Sequence, residues 1–367
     1  MKKYFLAVAV MLVASLCTVQ AKTWRINNDP AAKADFLSIN DAMASLDVYA
    51  GDVLYLDPAC RLPEQKITKG VTVIGTGYNL TDSEEAMVGG IKISADNIKL
   101  TGINIAGIVY WDDSRSNITI ERCKVQGISL NSANSNGCKG VSIIGCYVTG
   151  EIAGRSCPLV LRNSIVLNDV RSINGGIISN NVIIYNTGTS TSSFVLYDII
   201  NSTISNNVII NTTTHTTTSD NAVATYNHNT IQNTAVTDYN SINNNVLSND
   251  AAHAWADFPT NKFIGAKVED IFVNEGNQEE KYKLKEGSPA LGYGTNGVDC
   301  GAFDGLYPYV VNGRPQFVPY IYDAKIPNTP TDGKLNITLK IKHCGKSGIV
   351  FSPNFPIHSI SKFLLIH

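Results

Sequence analysis

Glu151, Asp169 and Arg171 form the one grouping of acids and a base that the spacing of this chain brings together. Each acid follows a turn-type residue (Gly150 or Asn168) and precedes an aliphatic one (Ile152 or Val170). If Ile152 and Val170 point inward on neighbouring strands, then Glu151, Asp169 and Arg171 face solvent together. The carboxylates then stand about one strand spacing apart, roughly 4.8 Å between backbones. Carboxylates that close repel, which raises one pKa or invites a cation. Three readings follow. The pair could hold Ca2+ beside Arg171, with a base removing a proton next to a neutralised substrate carboxylate. It could act as acid and nucleophile on a glycosidic bond, where such groups sit about 5–5.5 Å apart. Or the acids are solvated surface charges partly neutralised by Arg171.

Four further residues surround this grouping as candidate substrate contacts. Tyr110 and Trp111 offer rings that suit the flat apolar faces of sugars, or else pack beneath a loop. Asp112 and Arg155, together with Asp113 and Arg115, can approach from adjacent turns. Charge is sparse elsewhere on the repeats. Between Ser172 and Asn249 there is no Lys or Arg, and the only acids are Asp198, Asp220 and Asp238. A base in that half could come only from His215 or His228, so the first half is favoured. Tyr226 and Tyr239 are poorer aromatic candidates, and His215 reads as an exposed loop residue.

The elements that position these residues are repeated. Stretches starting at Ile98, Ile118, Val141, Leu159, Gly176, Ser202, Asn229 and Asn240 can be laid over one another. An aliphatic column runs Leu100, Ile120, Ile143, Leu161, Ile178, Ile204, Ile231, Ile242, and a second runs Ile105, Val125, Val148, Val166, Ile183, Ile209, Val236, Leu247. Between them lies a turn column of Gly102, Arg122, Gly145, Asn163, Asn180, Asn206, Asn233 and Asn244. Gly and Asn tolerate the left-handed backbone that a sharp bend needs, and Arg122 is the poor fit. Stacked Asn side chains in that column can hydrogen-bond along the stack. Such columns describe a β-solenoid whose core no single repeat could bury. Starts 17 to 27 residues apart suit a coil of three short strands and three turns. The last interval, 11 residues from Ile231 to Ile242, is too short, so one of the last two alignments is wrong.

Extending the columns past the second strand gives a further turn column, Gly107, Gly127, Gly150 and Asn168. It is followed by Ile108, Ile128, Glu151 and Asp169, and two residues on by Tyr110, Leu130, Ala153 and Arg171. Val109, Ile152 and Val170 fall on the inward positions. A β-sandwich would need hairpin turns and a two-sided pattern, and neither is evident.

Residues 1–21 read as an export signal, with Lys2 and Lys3, an apolar run from Phe5 to Leu16, and Val19-Gln20-Ala21 as the cleavage site. Leu16 is bulky where a lipid-modified Cys17 would need a small residue. After removal no integral membrane segment is expected. Loss of Lys2 and Lys3 leaves 27 basic against 31 acidic residues, a charge of −4, so nucleic acid is not an expected partner. Seven cysteines remain, in no zinc-binding spacing. Cys123 and Cys146 share a column and either fill the core or bond to one another.

Phe36 to Leu46 carries apolar residues at Ile39, Ala42, Met43 and Leu46, the spacing of a helix, and runs into a strand at Gly51–Pro58. Laid across the first coil, this helix would seal the open end of the core. Phe36 to Pro58, then Gly70 to Tyr78 ("GVTVIGTGY"), resembles the start of pectate-lyase-like right-handed parallel β-helices. Tyr282 to Gly305 ("YKLKEGSPALGYGTNGVDCGAFDG") resembles the closing segment of the same superfamily. The resemblance spans Thr23 to Gly305 and implies the fold more than an activity. It covers polysaccharide lyases, which usually use Lys or Arg as base and often calcium, glycoside hydrolases, and non-catalytic surface proteins.

The expected molecule is therefore all-β: a right-handed parallel β-helix of three short sheets over residues 22–305, with an N-terminal capping helix. An extended C-terminal segment follows at 306–342, where Leu335 to Ile341 alternates like a strand, then a tail at 343–367 without regular pattern. An exported monomer, secreted, periplasmic or at the cell surface, is expected to bind or process polysaccharide. A glycan-binding or surface scaffold is favoured over a lyase or hydrolase acting on an acidic glycan.

Overall fold

The computed structural model describes residues 21–111, 113–130, 138–185, 195–211, 241–243, 246–247, 262–263, 268–315, 320–325, 334–336, 338–343, 346–351 and 354–356. The chain divides into two compact units, Met1–Gly313 and Arg314–His367.

The first unit is a parallel β-helix. One sheet stacks Thr23–Ile26, Val53–Leu56, Thr72–Ile74, Ile98–Thr101, Ser116–Glu121, Lys139–Ile144, Leu159–Arg162, Ile177–Ser179, Thr203–Ser205 and Ser241–Asn243 in chain order. Every neighbouring pair with a recorded register is parallel, and Leu100, Ile120, Ile143, Leu161, Ile178, Ile204 and Ile242 form one continuous row. The row extends backward through Val73, Leu54 and Trp24, so the solenoid begins three coils before Ile98. The second aliphatic column is likewise in register from Leu62 and Val88 through Ile105 to Leu247 and Phe263. Most of these inward side chains are wholly buried, because each one fills the gap left by its neighbours above and below.

Two sheets replace the three expected. The long strands Arg61–Ile67, Met87–Ile93, Asn104–Trp111 and Lys124–Leu130 carry the second and third legs of each coil as one piece. Later coils break that leg in two, as in Tyr147–Val148 and Ile152–Cys157, yet both pieces pair with Lys124–Leu130 and stay in its sheet.

The turn column keeps its left-handed backbone from Gly102 to Asn206: φ is 65° at Gly102, 51° at Arg122, 62° at Gly145, 48° at Asn163, 56° at Asn180 and 58° at Asn206. Arg122 thus takes the conformation of its column despite its side chain. Ile242 pairs directly with Ile204, so the alignment starting at Asn240 is the coil that follows Ser202 on this sheet. The alignment at Asn229 lies outside the described residues.

Within the expected column Asn206 Nδ2 donates to Asn180 Oδ1 at 3.5 Å, and a longer hydrogen-bonded ladder lies one residue beyond it. Cys146 N–H donates to Ser164 Oγ at 3.1 Å, Ser164 N–H to Asn181 Oδ1 at 2.9 Å, and Asn181 N–H to Asn207 Oδ1 at 2.9 Å, all inside the coil. The turn asparagines mainly serve a different segment. Asn163 Nδ2 donates to the carbonyls of Ala302 and Asp304, and Asn206 Oδ1 accepts from Thr295 N–H.

That segment, residues 268–313, runs along the outside of the coils. It contacts Asn206 near Thr295, then Asn163 near Ala302 and Asp304, and reaches Tyr78 at Asn312. Beneath it, outward Tyr147, Ile165, Val182 and Val208 form a second apolar cluster with Phe272, Tyr282 and Ala302. The Tyr282–Gly305 stretch thus lies against the flank of the solenoid.

At the N-terminal end a helix spans Ile39–Ala44, shorter than the periodic stretch. Ser38 caps it by accepting from Asp41 N–H, and Ile39, Ala42 and Met43 are buried in the main core. Leu46, expected on the apolar face, is 89% exposed because the helix stops before it. Among the described residues no helix is long and apolar enough to cross a membrane, and residues 1–20, where an export signal is expected, lie outside them.

The second unit is antiparallel. Tyr320–Lys325, Thr338–His343 and Lys346–Phe351 form a three-stranded sheet, and Lys334–Asn336 pairs with Asn354–Pro356. Within 343–367, where the sequence shows no pattern, the backbone therefore still forms two strands.

Candidate functional site

Glu151 and Asp169 stand just before Ile152 and Val170, which pair on adjacent strands and are wholly buried. Alternation then turns Ala153 and Arg171, also paired, to the outer face. The three charged groups meet as the spacing requires. Arg171 Nη2 contacts Glu151 Oε2, and Arg171 Nε lies 3.8 Å from Asp169 Oδ2. Glu151 and Arg171 are partly exposed, while the Asp169 side chain is only 16% exposed. Burial pushes the Asp169 carboxyl above its ordinary value, Arg171 opposes that rise, and Glu151 adds to it.

The coil that starts at Ile118 departs from the expected alignment by one residue. Val109 pairs with Ile128, and Ile128 with Ile152, so Gly127 and not Ile128 occupies the Glu151 column. The cause is the length of the bend: three steps separate Val125 from Ile128, but four separate Ile105 from Val109 and Val148 from Ile152. Glycine is needed where this bend is tight, since a Cβ on Gly150 would collide with the carbonyl oxygen of Gln126. The slip places Ile128 and Leu130 inside and puts Ser129 on the outer row.

Trp111 is a correction. It pairs with Leu130, points inward like Val109 and is wholly buried, so it cannot stack on a surface sugar. Its indole N–H has no hydrogen-bond partner among the described residues. Asp112 lies outside the described residues, as do His215, Tyr226, His228 and Tyr239. Asp113 and Arg115 pair with each other at 3.1 Å. Arg155 is exposed, with φ of 51°, in the irregular stretch between Ala153 and Cys157.

Tyr110 does face outward, in one register row with residues that the columns starting at Ile98 did not reach. The row runs Lys66, Lys92, Tyr110, Ser129, Ala153, Arg171 on successive strands. The Tyr110 hydroxyl donates to Glu64 Oε1 at 3.0 Å, and Lys92 Nζ sits 5.6 Å from the ring centroid. Both contacts hold the ring in place. The signal for Lys66 and Lys92 was present in the alternation of Arg61–Ile67 and Met87–Ile93, two coils upstream.

As a set, these groups are better at holding than at deprotonating. A guanidinium offers only donors, and here it faces two carboxylates. Calcium takes six to eight oxygens. Glu151 and Asp169 as arranged have the Arg171 cation between them, and among the described residues no three His, Cys, Asp or Glu groups converge as metal ligands.

A second carboxylate that the sequence did not single out is Glu279, on the outer segment itself and wholly buried. Asn79 Nδ2 donates to it at 2.5 Å, Tyr309 OH at 2.9 Å and Asn312 N–H at 2.8 Å. Burial pushes its carboxyl up, against the pull of those hydrogen bonds. Protein donors engage both its oxygens, so it pins the segment to the Tyr78–Asn79 loop. Comparison of the chain with known protein families, curated proteins and solved structures finds no match in any of the three.

Proposed function

We propose that this is an exported β-helix protein that binds polysaccharide on the outer face carrying Lys66, Lys92, Tyr110 and Arg171, and acts as a glycan-binding or surface scaffold protein. The observation that carries the reading is the single register row of those residues, with Ser129 and Ala153 between Tyr110 and Arg171. Three strand spacings separate the tyrosine from the arginine, about 14 Å along the solenoid axis. Between them Ser129 is half-buried and Ala153 is covered, so the ring and the guanidinium are the groups this stretch offers a chain laid across the strands. An aromatic ring suits the apolar face of a sugar, and cations suit its hydroxyls and any carboxylates. The likeness of the N-terminal helix and first strands to pectate-lyase-like β-helices supports the same reading, by fold analogy alone.

One observation favours catalysis instead. Asp169 is raised by burial beside Glu151, as a general acid next to a second carboxylate would be. That reading makes the protein a glycoside hydrolase or lyase acting on an acidic glycan. The deciding experiment presents acidic and neutral polysaccharides to the purified protein with and without calcium. It reads retention, reducing ends and ultraviolet-absorbing unsaturated products together. Retention without cleavage is the expected result. Reducing ends alone establish a hydrolase, calcium-dependent unsaturation establishes a lyase, and neither retention nor cleavage overturns both readings.

A further inference from the structure

Two pairs of cysteines stack on the same two successive coils, Cys123 with Cys146 and Cys138 with Cys157, and all four are buried. Their thiols differ in what they touch. Cys123 Sγ donates to the Glu121 carbonyl at 3.3 Å, and Cys146 Sγ lies 3.3 Å from the Ile120 carbonyl and 3.5 Å from that of Ile144. Both sulfurs of that pair are thus turned toward the backbone. Cys138 and Cys157 both lie in the main core. Cys138 stands three residues before Val141 and Cys157 two before Leu159, and those two residues pair on adjacent strands. Cys60 and Cys300 lie in different apolar clusters, and Cys344 is outside the described residues.

We infer that Cys138 and Cys157 are a site of oxidative modification, closing into a disulfide across the two coils while the chain folds. The ring so formed runs once around the solenoid and contains Glu151, one wall of the candidate site. Two thiols give up their hydrogens and the Sγ–Sγ bond forms. The oxidant, a glutathione-type or protein disulfide, has its own S–S bond broken and leaves as two thiols. Exchange requires a thiolate. In the folded protein burial, with the neighbouring Cys138, pushes the Cys157 thiol up to about 12. The bond therefore forms before this coil closes, in an oxidising compartment of the kind that an export signal leads to.

The test is refolding of the denatured, reduced full chain in a mixture of reduced and oxidised glutathione, followed by peptide mapping without reductant. A cross-linked pair of peptides containing Cys138 and Cys157, with the mass of two hydrogens lost, is the expected result. The same link should form in the Cys123→Ser, Cys146→Ser double variant. Oxidative refolding should raise the Tm of the wild type over its reduced form, and leave that of Cys157→Ser unchanged. Recovery of both thiols free from refolded wild type, or a Cys123–Cys146 link in their place, overturns the assignment. Glycan binding is not needed for any of these readouts.

Discussion

The backbone N–H and the side-chain Nδ2 of Asn181 both donate to Oδ1 of Asn207 one coil further on, at 2.9 and 3.0 Å. Asn207 in turn donates to the Ile178 carbonyl at 2.8 Å. Both side chains are wholly buried, so no water replaces a lost partner. A buried donor left unpaired costs about 1–3 kcal/mol. Asn207→Ala leaves two such donors on Asn181 and should lower stability by about 2–5 kcal/mol in urea denaturation. Asn174→Ala removes an exposed bond from Asn201, 2.7 Å long, at a position without left-handed backbone, and should change stability by no more than about 0.5 kcal/mol. Equal losses from the two variants would show that the inner ladder is not what holds the coils.

The pH dependence of stability tests the burial of Asp169. Its folded value is raised, so the native protein keeps this proton to a higher pH than the unfolded chain does. The stabilisation is complete below the unfolded value, near about pH 4, and is lost as pH rises through the folded value. Asparagine carries no such proton. The stability of Asp169→Asn relative to wild type should therefore increase from about pH 4 upward and then level off. Glu279 is raised in the same direction but is present in both proteins, so its contribution cancels. A difference that moves the other way would mean that Arg171 outweighs desolvation.

Much of this architecture is readable from residue columns, and the failures have a common cause. Leu100 through Ile209 align because one face is buried, which makes a one-residue slip costly. The left-handed turn at Arg122 follows its column because the bend is imposed by the coils on either side. The Asn-Asn doublets at 180–181 and 206–207 hide which member faces inward, so the columns show the Asn206–Asn180 bond but not the inner ladder beside it. The same ambiguity shifted Ile128, since the bend after Val125 is one residue shorter than its neighbours. Trp111 falls inside by the alternation that places Val109 inside. The outer segment pairs with no repeat and leaves no periodic trace. The meeting of Glu151, Asp169 and Arg171 was legible because all three lie within coils of equal bend length.

Binding should depend on the Tyr110 ring. Tyr110→Ala removes the stacking face and should weaken retention of a bound glycan roughly tenfold, for an aromatic contact worth about 0.5–1.5 kcal/mol beyond its buried area. Tyr110→Phe keeps the ring and loses the hydroxyl that donates to Glu64 at 3.0 Å, so it should bind nearly as wild type. Lys99→Ala, on the other sheet and paired with Glu121 at 2.7 Å, is the control. Affinity electrophoresis on the retained polysaccharide measures all three. Equal binding by Tyr110→Ala and wild type would move the site off this face.

Glu151→Gln combined with Asp169→Asn separates holding from cleaving. The paired groups are partly exposed, and such ion pairs contribute about 0–1 kcal/mol, so the double variant should fold with a Tm near that of wild type. Neutral partners free the Arg171 guanidinium for a ligand, so binding of an acidic glycan should be kept or strengthened. Any cleavage the wild type performs through these acids should vanish, because neither amide can donate a proton as an acid or attack as a carboxylate. Cleavage that survives in a folded double variant would place the chemistry elsewhere on the chain. Binding that collapses while Tm is unchanged would mean that the acids themselves contact the sugar, as hydrogen-bond acceptors for its hydroxyls.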